Sequence, residues 1–422
     1  MSISQNFPNT RPSLNLNFAR SKTLDPRITF SRTSTATRVN EQGLVEVVSA
    51  DIPRFDHKYE NGVIKSLGLL VEEQRSNLTK YSNTLQSPFN PVNGTITTNQ
   101  TTSPSGENNA SLLTQTAAST CYVNYGSGQI TWTSGQQYTF SCFVKKYSDS
   151  DENQIYILGY NLTFNSDPSG ANSVVIFNLD TLTSTTASGL VNSHSIDDVG
   201  NGWRRISATF TAYTTHSRDH QVLRFVDPGA TSNMYVWGYQ IEEGAFPTSY
   251  IPRPDTSTAT RNPDNVSMTG DNFSDWYNQS EGSILWRGTI DSLPISGSRI
   301  FEVYNSSTDT ERMAISVEND GTMYMRVRKT NDTATQTYGL GTVSYGSEYK
   351  ISLGVDGSSL CLAVNDEIKT TISDSFILSS SDTLIFTDLR DLGGARKFTT
   401  RHTGLSYYPT RLTNAQLQTL TK

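Results

Sequence analysis

The sequence predicts an all-β protein: two antiparallel β-sandwich (jelly-roll) domains, preceded by an irregular N-terminal docking segment and closed by a short C-terminal helix. Three observations lead there. Apolar and polar residues alternate at period two through most of the chain, the signature of half-buried strands. Only 35% of residues are hydrophobic, and the aromatics are mostly Tyr and Phe (20 and 17) rather than Trp (5), a composition that suits pleated, partly solvated surfaces. Gly, Asn and Ser turns interrupt the pattern at the spacing of sandwich strands. A length of 422 residues accommodates about three such units.

Residues 1–75 read as irregular, with short extended pieces ("SLNLNFA", "GLVEVVS") broken by "DPR", "IPRFDH" and "ENG". Leu14, Leu16, Phe18, Phe30, Phe55, Leu69 and Leu70 need a surface to hide on, so this stretch is expected to dock on a partner or a neighbouring module and to favour oligomers. Residues 76–253 form the first sandwich. In "QQYTFSCFVKK", Tyr138, Phe140, Cys142 and Val144 share a face, which makes Cys142 a small core residue. "NQIYILGYNLTF" places Tyr156, Leu158, Tyr160, Leu162 and Phe164 together. "RRISATFTA" turns Ile206, Ala208 and Phe210 inward. "NMYVWGYQIEEG" sets Tyr235, Trp237, Tyr239 and Ile241 on one face.

Residues 254–265 are a linker, marked by Pro254 and Pro263 just beyond Pro252. Residues 266–422 form the second sandwich, from "GSILWRGTI" to "DTLIFTDL". Its Asn365-Asp366 pair is expected to be a two-residue hairpin turn. In "LTNAQLQTLTK", Thr413 and Gln416 make a capping box for the closing helix. The hexapeptide "TSTATR" occurs twice, at Thr33–Arg38 and Thr256–Arg261, with different flanks. Alternating Thr favours extended backbone, so both copies read as connectors leading the chain into a sheet.

Several function classes are excluded or disfavoured. A formal charge of −7, with "WRRI" the tightest basic cluster, does not suit a nucleic-acid track. Three cysteines are too few for a disulfide framework. No apolar run approaches the ~20 residues of a membrane span, and the start lacks a signal-peptide pattern. Synthesis in a cytoplasm is therefore expected. The carboxylate pairs Glu72-Glu73 and Glu242-Glu243 are sequence neighbours that point to opposite faces of a strand. Glycoside hydrolysis needs two carboxylates that converge, so a non-enzymatic protein is expected. "HSRDH" (His216, Asp219, His220) reads as a solvated loop. No cofactor is expected beyond a structural Ca²⁺, to which "NSDPSG" and "DSDEN" could contribute oxygens.

The run "ITFSRTSTATRVNEQGLVEVVSADIPRFDH" followed by "SLGLLVEEQRSNLTKYS", spanning Phe30–Ser82, resembles a segment of tailed-bacteriophage virion proteins, including tail fibres. "VGNGWRRISATFTA" and "MYVWGYQIEEGAFPTSYIPR" resemble the carbohydrate-binding-module-like jelly roll that follows it there. "YKISLGVDGSSLCLAVNDEI" and "GLSYYPTRLTNAQLQTLT" resemble concanavalin-A-like (laminin-G-like) lectin sandwiches. The resemblance implies a structural protein on the virion surface, with other virion proteins and host-surface glycan as partners, trimeric like fibre proteins. Capsid or tail decoration with the sandwiches as spacers, and a glycan-degrading enzyme, are the alternatives. Sugars pack on aromatic faces, so Tyr156 with Tyr160, Trp237 with Tyr239, and Trp203 are the candidate platforms. Leu158 and Ile241 share those stripes, and core packing is the competing assignment.

Overall fold

Leu14, Asn15 and Leu16 alternate buried, exposed, buried because they form a strand, and that strand belongs to the far end of the chain. It pairs antiparallel with the strand Thr400–Tyr408, Leu14 opposite Tyr407 and Leu16 opposite Leu405. The computed structural model describes residues 7–422 apart from 127–128, 149–152, 160–171, 216, 218–219, 226–231, 293–296, 309–310, 330–331, 333, 375, 377, 379 and 387–397. Among the described residues the protein is all-β, with short helices only at Asp271–Ser274 and Asn414–Leu420.

The N-terminal segment does pack on a neighbouring module, but it is not irregular: it supplies strands to that module's sheets. Its strands Arg54–Glu60 and Val63–Val71 pair with each other, and the second continues onto Thr400–Tyr408. Together with Leu14–Leu16 they complete a sheet whose other strands are Gly282–Ile290, Glu348–Val355, Leu360–Val364 and Glu367–Ile372. The strand Thr29–Ser31 joins the opposing sheet through Asn265–Thr269. Leu14, Leu16, Phe18, Phe55, Leu69 and Leu70 are all buried, five of them in the same core as Trp286, Phe301 and Leu405, with Phe30 packed against it. The apolar residues that called for a partner surface find it within their own chain. Gly68 permits the junction: its φ is +82° and a Cβ there would lie 2.2 Å from the His402 carbonyl oxygen, a position only glycine occupies without strain.

The jelly roll is thus inserted into the sandwich that the two ends of the sequence build. It has two six-stranded sheets around a core that contains Tyr138, Phe140, Cys142, Val144, Ile206, Ala208 and Phe210, as their alternation predicts. The phase is reversed in Gln154–Gly159. Ile155 and Ile157 enter the core, while Tyr156 takes the Arg224 guanidinium over its ring at 4.4 Å. The strand Asn233–Glu243 changes face midway. Gly238 has φ +63° and the pairing slips opposite Ser141 and Phe143, a bulge. Met234, Val236, Tyr239 and Ile241 therefore face the core, and Trp237 joins Phe143, Trp203 and Tyr250 on the outer side.

In the second sandwich the expected local signals hold. Asn365 and Asp366 both have positive φ and join Leu360–Val364 to Glu367–Ile372. Thr413 and Gln416 form the capping box of the last helix, whose Leu417 covers Cys361 and Tyr408.

The first "TSTATR" copy meets the residue that follows the second. Asn262 N–H donates to Ser34 Oγ at 2.8 Å, and its side-chain amide donates to Thr33 Oγ1 at 2.7 Å. The second copy pairs with Arg75–Asn77 where the chain enters and leaves the jelly roll. Identical hexapeptides end differently: Arg38 reaches Glu46 at a part-exposed position, whereas Arg261 is wholly buried against Glu72 at 3.2 Å. Between the copies runs a buried ion network. Arg32 pairs with Asp264 at 2.9 Å, Arg54 pairs with the same Asp264, and Arg54 reaches Glu72 at 2.6 Å.

Candidate functional site

Outward-facing residues of the eight-stranded sheet line a groove of about 980 Å³. Alternation puts them there. Asn15 points away from the core that takes Leu14 and Leu16, and Ser406 donates to its Oδ1 at 2.9 Å. Leu285, Arg287, Ser406 and Tyr408 form the floor, the hairpin carrying Lys58, Glu60 and Lys65 forms one wall, and Lys350 with Leu420 of the last helix forms the other. Five cations (Arg20, Lys58, Lys65, Arg287, Lys350) face two carboxylates, Glu60 and Glu348. Both lysines of the wall are engaged by Glu60. Arg287, on the central strand, has its buried Nε without a hydrogen-bond partner. The groove is a basic surface on a chain of net charge −7, and nothing in the local residue pattern marks it, because its cations come from strands far apart in sequence.

A second, smaller cleft of about 370 Å³ lies where the hairpin Ala36–Val39 and Val45–Val48 crosses the jelly roll. Trp237, Tyr250, Asn83, Asn109, Glu46 and Glu107 line it.

The candidate platforms separate on folding. Trp203 is 2% exposed and its Nε1 donates to the Thr102 carbonyl at 3.2 Å, so it offers no open face. Tyr239 is fully buried, its hydroxyl donating to the Val222 carbonyl at 3.2 Å. Tyr156 is half-buried beneath Arg224. Tyr160 lies outside the described residues. Trp237 and Tyr239 do not share a face, and Trp237 reaches the smaller cleft. Glycine inside a strand is the signal that announces such a change of face, and Gly238 carries it. His220 is also not in a solvated loop: it is buried with its ring 4.5 Å from that of Trp132, while His216 and Asp219 lie outside the described residues. So do "NSDPSG" and all but Asn153 of "DSDEN". Among the described residues no cluster of three or more His, Cys, Asp or Glu side chains could hold a metal.

Three of the four acidic neighbours turn out to be internal. Glu72, Glu73 and Glu242 are buried and Glu243 is exposed. Glu242 accepts from Thr248 through its backbone N–H at 3.0 Å and its hydroxyl at 2.7 Å. Burial works to raise the Glu72 carboxyl, but Arg261, Arg54 and the Ser249 hydrogen bonds hold it well below the usual carboxylate range. Glu73 goes the other way. Burial pushes it up to about 7 against the pull of Arg75 and Arg261, and Glu242 adds to the rise.

A carboxyl raised in the fold stabilises fully below its ordinary pKa, and that contribution is lost as pH climbs through the raised value. Glu73→Gln, a mimic of the protonated form, should therefore lie within about 1 kcal/mol of the parent at pH 5 and exceed it by most of the shift at pH 8. A rise from 4.5 to about 7 corresponds to about 3 kcal/mol at most. Thermal melts of both proteins from pH 5 to 8 test this; a gap that stays constant over that range would refute it.

No protein-family model and no curated protein matches the chain. Solved structures do resemble part of it. The CBM40 of the Ruminococcus gnavus IT-sialidase, bound to α2,3-sialyllactose, is 16% identical over 34% of this chain and 84% of its own, with a TM-score of 0.29. A heptameric SAP-like pentraxin from Limulus polyphemus is 15% identical over 34% and 70%, with a TM-score of 0.27. The NanB sialidase of Streptococcus pneumoniae is 12% identical over 37% and 26%, with a TM-score of 0.32. At these scores the likenesses say nothing about ligand or activity.

Proposed function

We propose that this chain is a structural protein of a bacteriophage virion, displayed on the particle surface, and that it holds acidic host-surface glycans in the groove of its larger sheet. The observation that carries the glycan reading is the groove itself: about 980 Å³, with five cations against two carboxylates. Amide and hydroxyl groups of Asn15, Asn17, Ser406 and Thr403 line it as well. Cations grip the carboxylate or sulfate of an acidic sugar through charge-assisted hydrogen bonds, while the amides and hydroxyls match its hydroxyl groups. The virion assignment rests on the blocks across Phe30–Ser82, as do assembly with other virion proteins and a trimeric state.

The test is a glycan array probed with the full chain. Binding is expected on sialylated, uronic or sulfated glycans, weakening between 50 and 300 mM salt as screening sets in. Arg287→Ala should weaken it about tenfold or more, the worth of one charge-assisted contact. If acidic glycans are not retained, the sandwiches are spacers and the decoration reading replaces this one. Mass spectrometry of purified particles checks the virion assignment, which fails if the chain is missing from them.

A further inference from the structure

The smaller cleft contains three buried polar atoms with no hydrogen-bond partner: the Nε1 of Trp237, the Oδ1 of Asn83 and the Oδ1 of Asn109. Trp237 is 3% exposed. Buried polar groups are ordinarily satisfied, and an orphan donor beside two orphan acceptors is an incomplete hydrogen-bonding set. The surrounding structure holds the set in place. The Trp237 ring is packed against Phe143 at 5.3 Å and Tyr250 at 4.7 Å. The Tyr250 hydroxyl is in turn fixed by a 2.7 Å hydrogen bond with Ser82. Asn109 donates its amide to Glu107 at 2.9 Å, which leaves its Oδ1 over.

We propose that this cleft is a second binding site, selective for a neutral sugar ring. The free indole N–H requires an acceptor in the ligand, and the two amide oxygens require donors. The hydroxyls of a sugar ring can supply both. A metal cation would satisfy the amide oxygens and leave the indole N–H orphaned. An anion meets Glu46 and Glu107 in the lining, and no lining residue carries a positive charge. The volume of about 370 Å³ lies at the small end of ligand sites and suits one or two rings. Because Trp237 is almost fully buried, it acts through its indole N–H and not by stacking. The site is independent of the basic groove and opposite to it in charge preference.

The experiment uses the full chain with ¹⁵N-labelled tryptophan, which gives five indole signals for five residues; Trp237→Phe assigns the relevant one. Methyl glycosides of glucose, galactose and mannose and N-acetylglucosamine, each at tens of millimolar, are titrated against it, with N-acetylneuraminic acid and Ca²⁺ as comparisons. At least one neutral sugar is expected to shift the Trp237 signal, and the acid and the metal to leave it in place. Asn109→Ala should weaken that titration tenfold or more. Val47→Lys, at a half-exposed position on the rim where folding is not at risk, should block it. Arg287→Ala should not affect it, which separates this site from the groove. The proposal is overturned if no sugar in the panel moves the signal, if Ca²⁺ or the acid moves it equally, or if Val47→Lys leaves the titration unchanged.

Discussion

Deleting residues 1–75 is expected to unfold the C-terminal sandwich and not merely to remove an appendage. The deletion takes Leu14–Leu16, Arg54–Glu60 and Val63–Val71 out of one sheet and Thr29–Ser31 out of the other. Leu14, Leu16, Phe18, Phe55, Leu69, Leu70 and Val71 are all buried. At about 1.5–3 kcal/mol for each large apolar side chain, the loss is roughly 10–20 kcal/mol. That matches or exceeds the whole stability of a typical domain, about 5–15 kcal/mol. Residues 76–422 alone should therefore show one cooperative transition, that of the jelly roll, with the C-terminal half aggregated or lacking fixed near-ultraviolet signals. Two native-like transitions in the truncated chain would show that the N-terminal strands are dispensable. Ligand measurements accordingly require the full chain.

The second large effect is expected at Asp264, which is fully buried. Its two oxygens accept from Arg32 and Arg54, and Oδ2 also accepts the Glu72 backbone N–H at 2.9 Å. Asp264→Ala leaves two guanidinium groups buried without their shared counter-charge. Breaking a buried pair in this way costs about 3–5 kcal/mol. The same reasoning gives a contrast. Replacing Arg32, Arg54 and Asp264 together by apolar residues of similar volume removes the guanidinium groups that the single change strands and leaves Glu72 paired with Arg261, so it should cost less than the single change. Urea unfolding of the single and triple variants distinguishes the cases. A loss below about 1 kcal/mol for Asp264→Ala would mean that water reaches the network and screens it.

The sequence pattern reveals the strands but not which strands pair. Period-two alternation located the core faces of Gln137–Lys146 and Trp203–Thr211, and turn chemistry located the Asn365-Asp366 hairpin and the Thr413 cap. These are local effects, set within a few residues. The partnership of Leu14–Leu16 with Thr400–Tyr408 is not local, and short extended pieces broken by prolines look alike whether they complete a sheet or lie outside one. The functional surfaces were less legible for the same reason. Among the aromatic candidates Trp237 reaches the smaller cleft, and the Asn83 and Asn109 that line it with Trp237 come from connecting segments without periodicity. Arg287 and Lys350 lie opposite each other across paired strands, 63 positions apart in sequence, so their convergence depends on register. The repeated hexapeptide ends on an arginine that in the second copy lies inside a buried ion network, which no residue count discloses.

The pairing of the first strand with the last also sets a timetable for biosynthesis. Ser13 and its hydrogen-bond partner Tyr407 are 394 positions apart. A ribosome adding about 5–20 residues per second needs roughly 20–80 s to cover that distance. The jelly roll lies wholly within this interval and can close while translation continues. The leading strands meanwhile wait with Leu14, Leu16 and Phe18 uncovered, an open edge on which nascent chains can stick to one another. Yield of this protein in a cell should therefore depend on chaperone capacity and translation speed more than on the stability of the finished molecule.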